Sequence, residues 1–213
     1  MAKKVIVIGA GGHARVLIDS LRLRNQTQLL GLTDKDPAKL QHNVLGVPVI
    51  GPDETIRKFP TDDIQLVNGV GTITVSSLRR ELFEHFSQLG YSFLTVLHPT
   101  AIIASDALLS DGVQAMAGSI IQSGCHVGKN TIINTGALVD HDCQIGDHVH
   151  IAPGVVLSGG VKVGNGSHVG IGANITQGIQ IGRNCLVAAG ATVIENVPDG
   201  ARVAGVPAKE MKA

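Results

Sequence analysis

A small α/β domain followed by a three-sided parallel β-helix is the fold this sequence predicts, and three observations predict it. The first is a six-residue beat. Every sixth position from Val127 to Val193 is aliphatic: Val127, Ile133, Val139, Ile145, Ile151, Leu157, Val163, Val169, Ile175, Ile181, Val187 and Val193. A fixed period of six is the signature of a parallel β-helix. The second is a strand, a glycine-rich turn and a helix at the N-terminus, Lys4–Ile8, Gly9–Ala14 and Arg15–Arg22. The third is where the rings lie. Phe59, Phe83, Phe86, Tyr91 and Phe93 all precede the repeat, and none falls inside it. A narrow lumen admits aliphatic side chains but few rings.

In chain order, Lys4–Ile8 is a short apolar run of strand type, and Arg15–Arg22 has helical periodicity. Leu29–Leu32 reads as a second strand ending at Thr33 and Asp34. Val47–Pro52 is a short strand into a turn, and Gln65–Asn68 a further strand ending at Gly69–Gly71. Residues 76–89 read as an amphipathic helix with Leu78, Leu82, Phe83 and Phe86 on one side, and Phe93–Val96 as a last strand. Strands alternating with helices imply a small parallel sheet. Ligands on such sheets bind beyond the carboxyl ends of the strands, here Gly9–His13, Thr33–Asp36 and Asn68–Thr72.

Gly9, Gly11 and Ala14 fit the form G-x-G-x-x-A, and Asp34 follows Ala14 at the spacing of a dinucleotide fingerprint. Such a turn lets a phosphate approach a helix N-terminus. The plain alternative is that the glycines only allow a tight turn. The domain is short for a full dinucleotide fold, so a mononucleotide or a nucleotide-sugar fits better. His13 stands in the turn, within reach of a phosphate or a ribose.

His98–Ile102 marks the junction, which divides the chain into domains 1–97 and 98–213. Ile102, Leu108 and Ile120 keep the beat, Gln114 breaks it, and the step from Ile120 to Val127 is seven. An irregular first coil over 101–126 is therefore expected. Beyond it, the aliphatic residue of each hexad and the residue two before it point inward, and the one between points out, as strand alternation requires. Ala137 and Val139 face in and Leu138 faces out. Asp140, His141 and Asp142 turn the corner. Outward Leu138, Val156 and Leu186 give the prism apolar outer faces, which mark an interface. The tail from Gly200 leaves the repeat.

With 17 basic and 17 acidic residues the chain has no net charge, which argues against a nucleic-acid surface. No apolar run is long enough to cross a bilayer, so no membrane partner is expected. Of three cysteines, Cys143 and Cys185 fall on inward positions and read as core residues. A cytoplasmic, reducing location follows from that usage.

The repeat, the stretch Val139-Asp-His-Asp-Cys143, the tail Ala204-Gly-Val-Pro-Ala-Lys209 and the leading Val7-Ile-Gly-Ala-Gly-Gly-His13 together resemble the hexapeptide-repeat acyltransferases. The branch they are similar to holds the sialic acid O-acetyltransferase family and the bacterial N-acetyltransferases of nucleotide-linked 4-amino-4,6-dideoxy sugars. The resemblance spans nearly the whole chain. It implies a left-handed β-helix, a homotrimer, acetyl-CoA as donor, a nucleotide-linked amino sugar as acceptor, and no metal.

By resemblance, His141 is the catalytic base and Asp142 its acidic neighbour, an Asp where the amino-sugar enzymes often carry Glu. Asn134 and His150 match positions lining the same site, and Gly159 an amide near the acetyl carbonyl. Gly11, His13, Asp34, Gly69 and Asn134 are expected to contact the acceptor. His150, Gly159, Ala189, Gly205 and Lys209 are expected to contact the coenzyme. The residues alone place His141 on an outward corner, with Ser158-Gly159-Gly160 one coil later leaving room for a slender ligand. They also permit His141 to be one more solvated histidine, as His126, His148 and His168 read. The implied reaction is direct transfer with a histidine base, whose ordinary pKa lies near working pH. Two other classes stay open: O-acetylation of a sugar by the same machinery, and a non-catalytic β-helix binding module.

Overall fold

Contacts within the chain fall into two units, Met1–Gly71 with Ser77–Pro99, and Thr72–Ser76 with Thr100–Ala213. The structure, a computed structural model, describes residues 2–40, 42–72, 74–75 and 77–211.

The first unit is built on β1 (Lys3–Ile8), whose Val5, Ile6, Val7 and Ile8 are all fully buried. A continuous apolar run of this kind belongs to a strand covered on both faces. The chain then forms α1 (Gly12–Arg24), β2 (Thr27–Thr33), β3 (Asn43–Val44), β4 (Val47–Gly51), β5 (Gln65–Asn68), α2 (Leu78–Gln88) and β6 (Ser92–Phe93). The sheet order is β3-β4-β2-β1-β5-β6, with β1 parallel to both β2 and β5. The edge pair β3–β4 is antiparallel, joined by Leu45 and Gly46 at φ of 49° and 75°, as a tight hairpin requires. Leu17, Ile18 and Leu21 of α1 are buried. On the other side Ile6, Ile8, Leu66, Phe83, Phe86, Tyr91 and Phe93 share one core. The Tyr91 hydroxyl shares its proton between the carbonyls of Phe59 (2.8 Å) and Ile56 (3.1 Å).

The helix expected over 76–89 runs from Leu78 to Gln88; Ser76 lies outside the described residues. Its buried face differs from the expected one. Arg79 is 4% exposed and Leu78 38% exposed. The Arg79 guanidinium turns inward to donate to the carbonyls of Asn68 (2.7 Å) and Val70 (2.8 Å), and Asn68 Nδ2 donates back to the Arg79 carbonyl at 2.8 Å.

The second unit is a three-faced parallel β-helix of two-residue strands. Each strand pairs with the one eighteen residues on: Leu138 with Val156, Gln144 with Lys162, His150 with His168. Val127, Val139, Ile151, Leu157, Ala137, Cys143 and Val155 point inward and are 0–1% exposed. Small polar residues at inward positions close corner carbonyls: Thr131 Oγ1 donates to Gly146 and Ser167 Oγ to Gly182. That satisfies groups a dry lumen would otherwise leave unpaired.

The corners carry a second six-residue beat. Positions 112, 118, 124 and so on to 190 all have positive φ: Gly124 (72°), Asn130 (55°), Gly136 (64°), Asp142 (59°), His148 (58°), Gly160 (69°) and Asn184 (52°) among them. Glycine, and less readily Asn, Asp or His, adopts this conformation.

Two expectations are corrected. The first coil is regular. Strands at Ile102–Ile103, Leu108–Leu109, Gln114–Ala115, Ile120–Ile121 and His126–Val127 keep an unbroken six-residue step. The inward beat runs through Ile103, Leu109, Ala115 and Ile121, whereas Ile102 and Leu108 point out and are 62% and 58% exposed. The strands Ile102–Ile103, Leu108–Leu109 and Ile120–Ile121 each offer two adjacent aliphatics, and a one-residue slip exchanges the faces. The tail also stays in the helix longer than expected. Arg202–Ala204 adds a parallel rung to Leu186–Val187, then pairs antiparallel with Lys209–Glu210. The last coil is two residues short, with Ile181 bridging to Val197.

Candidate active site

In the first unit the carboxyl ends of β5, β1, β2 and β4 surround a cavity of about 350 Å³. Gly9 has φ of 90°, which the turn from β1 into α1 requires. A Cβ on Gly11 or Gly12 would meet nothing within 4 Å, so the α1 N-terminus opens into the cavity, a geometry suited to an anion. A Cβ on Gly69 would meet Val7 Cγ1 at 2.7 Å and Ala14 Cβ at 2.9 Å; Gly69 is there for close packing of β5 on β1 and α1. His13 lines the cavity beside Gly71. Asp34 lines it too, but its oxygens are engaged: Oδ2 accepts from Ala10 N (2.9 Å) and Lys39 Nζ (2.8 Å), and Oδ1 from Asp36 N (3.0 Å). Burial opposes the charge, yet Lys39 and the two amides outweigh it and hold this carboxyl below its ordinary value.

In the second unit His141 stands on the corner after Leu138–Val139. Its Nδ1 lies 2.8 Å from Asp142 Oδ2, and its amide donates to Asp140 Oδ1 at 2.8 Å. The contact with Asp142, then the charge of Asp140, raises the imidazole above the ordinary histidine value. An Nδ1–H given to Asp142 leaves Nε2 as the free acceptor. The ring lies over Gly159, where a Cβ would meet Cε1 and Nε2 at 2.5 Å. Below, a Cβ on Gly124 would meet Asp142 Oδ1 at 2.5 Å. Glycines one coil up and one coil down thus clear the space the pair occupies. Asp142 itself takes a left-handed position that glycine holds in most other hexads, local strain of the kind that collects at functional sites. Among the described residues the Gly159 N–H has no hydrogen-bond partner.

Asn134 and His150 form a second group. Asn134 Oδ1 accepts from the Thr135 amide at 2.8 Å, which fixes the carboxamide and turns Nδ2 to His150 Nε2 at 3.0 Å. His150 Nδ1 is then the protonated nitrogen and donates to Thr72 Oγ1 at 2.8 Å. With both ring nitrogens engaged and 8% exposure, His150 orients Asn134 and has no ring nitrogen left for a further hydrogen bond. Ala189 and Gly205 lie along the prism edge that carries Asn134, between the His150 face and the Leu138 face. Lys209 is exposed and sits 3.5 Å from Glu195 Oε1. In one chain, therefore, His141, Asp142 and Gly159 share one edge, and Asn134, Ala189 and Gly205 another. His168, expected to be solvated, is 6% exposed, with its ring edge-on to His150 at 4.8 Å between centroids. Burial pulls its pKa down, and its buried Nδ1 has no hydrogen-bond partner among the described residues.

The sequence matches two family models: the PglD N-terminal domain over residues 4–86 and the bacterial transferase hexapeptide over residues 126–159. The perosamine N-acetyltransferase PerB of Caulobacter crescentus, solved with CoA and GDP-perosamine, is 37% identical. It superposes with a TM-score of 0.89 over 100% of this chain and 99% of that one. The chain belongs to the hexapeptide transferase family. The acetyltransferase domain of PglB from Neisseria gonorrhoeae, solved with acetyl coenzyme A, gives 32% identity and a TM-score of 0.92 over 99% and 100% of the two chains. The UDP-N-acetylbacillosamine N-acetyltransferase of Bacillus subtilis is 35% identical over 117 residues, 54% of this chain and 52% of that protein. The chain thus aligns with about half the length of that curated relative. These likenesses carry the left-handed β-helix of hexapeptide transferases with them.

As a hexapeptide transferase the chain holds no thiol suited to attack. Cys143 is buried, its Sγ 3.3 Å from the Ser158 carbonyl, and burial pushes its thiol up to about 12. Sequence reasoning missed Asp53 on the cavity wall, Arg79 behind it and the pairing of Thr72 with His150. Thr72 and Arg79 have no motif. Asp53, on the cavity wall, lies in a stretch read only as a turn. The left-handed corner beat was open to reading, and Asp142 is one of four residues, with Asn130, His148 and Asn184, that stand on it in place of glycine.

Proposed function

We propose that this protein is an acetyl-CoA-dependent N-acetyltransferase acting on the 4-amino group of a nucleotide-linked 4-amino-4,6-dideoxy sugar. One observation carries the reading: an exposed imidazole on a β-helix corner, held through Nδ1 by Asp142, with its free Nε2 over the bare backbone of Gly159. Two relatives similar over the whole chain are solved with CoA or acetyl-CoA, and one of them also with GDP-perosamine.

The sugar amine attacks the thioester carbonyl, and His141 Nε2 takes a proton from the amine as the C–N bond forms. Asp142 keeps the imidazole in the tautomer that can do this and steadies the imidazolium. The Gly159 N–H is free to meet the developing oxyanion. Collapse breaks the C–S bond and expels the CoA thiolate, which takes from His141 the proton that the amine gave up. No covalent acyl-enzyme is needed.

The cavity at the α1 N-terminus takes the nucleotide diphosphate, with His13 at its mouth. The outward column Ile102, Ile120, Leu138 and Val156 supplies an apolar face for a homotrimer; Leu186 belongs to the His150 face. In that trimer the His141 edge of one copy meets the Asn134 edge of the next, which brings Gly159 and Ala189 to one coenzyme slot. Sedimentation equilibrium giving a monomer at micromolar concentration would overturn the assembly. Three buried, unpaired thiols suit a reducing, cytoplasmic setting. Among the described residues no helix is long and apolar enough to cross a membrane.

The deciding assay measures acetyl-CoA consumption against UDP-, dTDP- and GDP-linked 4-amino sugars and free sialic acid. Turnover with an amino sugar is expected. Turnover with sialic acid alone would replace N-transfer by O-transfer.

A further inference from the structure

The cavity of the first unit is arranged as a row of stations. Its wall is formed in order by the ends of β5, β1, β2 and β4, neighbours in the sheet. The β1 station is the open helix N-terminus at Gly11 and Gly12, where a phosphate belongs. The β4 end stands two strands away, roughly 10 Å at ordinary strand spacing. That is the reach of a ribose and base from their phosphates.

Two carboxylates stand on that side, and they differ. Asp34 has both oxygens engaged by Ala10, Lys39 and Asp36. Asp53, just past β4, has one engaged: Oδ1 accepts from Thr33 Oγ1 at 2.6 Å. Thr33 is fully buried at the end of β2, so this contact fixes the carboxylate plane. Among the described residues Oδ2 takes no hydrogen bond. Burial pushes the Asp53 carboxyl up, only partly offset by Thr33, so a donor brought to Oδ2 answers an existing need.

We propose that Asp53 reads the nucleobase of the acceptor, its Oδ2 accepting a hydrogen bond from a ring N–H: N3–H of uracil or thymine, or N1–H of guanine. This rests on reading the cavity as the nucleotide-sugar site. A carboxylate only accepts hydrogen bonds. Adenine and cytosine present a ring-nitrogen lone pair at the corresponding edge and are repelled. The same chemistry admits uracil, thymine and guanine, and the size of the base pocket then separates them.

The test is calorimetric binding of UDP, dTDP, GDP and ADP to the full chain. At least one of the first three is expected to bind, and ADP at least tenfold more weakly. Asp53→Asn keeps an oxygen for Thr33 and places an NH2 where Oδ2 stood. It is expected to weaken the preferred nucleotide tenfold or more and to leave acetyl-CoA binding unchanged. Methylating the ring nitrogen, as in 3-methyl-UDP or 1-methyl-GDP, should cost wild type a similar factor and cost Asp53→Asn little further. Indifference of wild type to that methyl group overturns the proposal even if the variant does not fold. So does an Asp53→Asn protein that binds within twofold of wild type. If none of the nucleotides binds wild type, the nucleotide-sugar reading of the cavity falls first.

Discussion

The His141 ring rests on Gly159: a Cβ there would meet ring Cε1 and Nε2 at 2.5 Å. Gly159 does not have positive φ, so its backbone accepts alanine. Gly159→Ala should therefore fold normally and displace the imidazole from Asp142. We expect kcat to fall about 10- to 100-fold, since a misplacement on the ångström scale is costly in a positioned site. Differential scanning calorimetry should show little change in Tm. An unchanged kcat would mean that the ring moves during turnover.

His141→Ala should keep the fold, because a side chain more than half exposed carries little packing. It should lower kcat by roughly 10²–10⁴-fold, the usual worth of a positioned base. The base works neutral, and its folded pKa is raised by Asp142 and then Asp140. In wild type kcat/KM should thus rise with pH through a value above the ordinary one for histidine, and the variant should lack that limb. Asp142→Asn should move the limb to lower pH while lowering the plateau. Because an amine acceptor ionises too, the profile is best taken with a low-pKa amine. A limb that stays put in Asp142→Asn would assign it to the substrate.

Asp142 occupies a left-handed backbone position, φ 59°. Replacing it by glycine should relieve about 1 kcal/mol of backbone strain, by the ordinary cost of that conformation for a residue with a Cβ. Asp142→Gly should hold or raise the unfolding midpoint in urea and lower kcat. A loss of stability would show that the carboxylate holds the corner by itself.

Ile121 is 1% exposed and Leu108 is 58% exposed. Ile121→Ala should cost about 2–5 kcal/mol, the range for an aliphatic truncated in a packed core. Leu108→Ala should stay within about 0.5 kcal/mol. Equal effects in denaturant titrations would put the first coil in the other register.

The repeat was legible because a lumen of constant width selects the same residue type at every turn, as Val139, Leu157 and Ile175 illustrate. The His141 corner was legible because a polar residue on an outward bend has nothing to pack against. The first coil misled because Ile102-Ile103 and Leu108-Leu109 offer two aliphatics where the pattern needs one, and only the stacked partners decide which goes in. Thr72 was legible only as the end of a strand-end turn, and its pairing with His150 was not, nor were the parts of Arg79 and Asp53. Their parts depend on what the chain brings beside them, a buried ring nitrogen, a pair of carbonyls and a threonine hydroxyl, and no spacing in one dimension encodes those meetings. Asn134 and His150 were expected by resemblance to line the site of His141, but in one chain Asn134 and the face carrying His150 lie apart from the His141 edge, a fact of the coil register alone.

Pairing at an interval of eighteen residues turns each prism edge into a graduated scale. One coil advances an edge by about 4.8 Å, the spacing of paired strands. The length of edge above His141 is therefore counted in whole coils and cannot be adjusted by small amounts. Removing one interior coil would shorten that edge by a single graduation and leave the remaining bends as they were, since each coil rests only on its neighbours. A coenzyme lying along the edge meets a measuring rod, and the chain changes its reach one coil at a time.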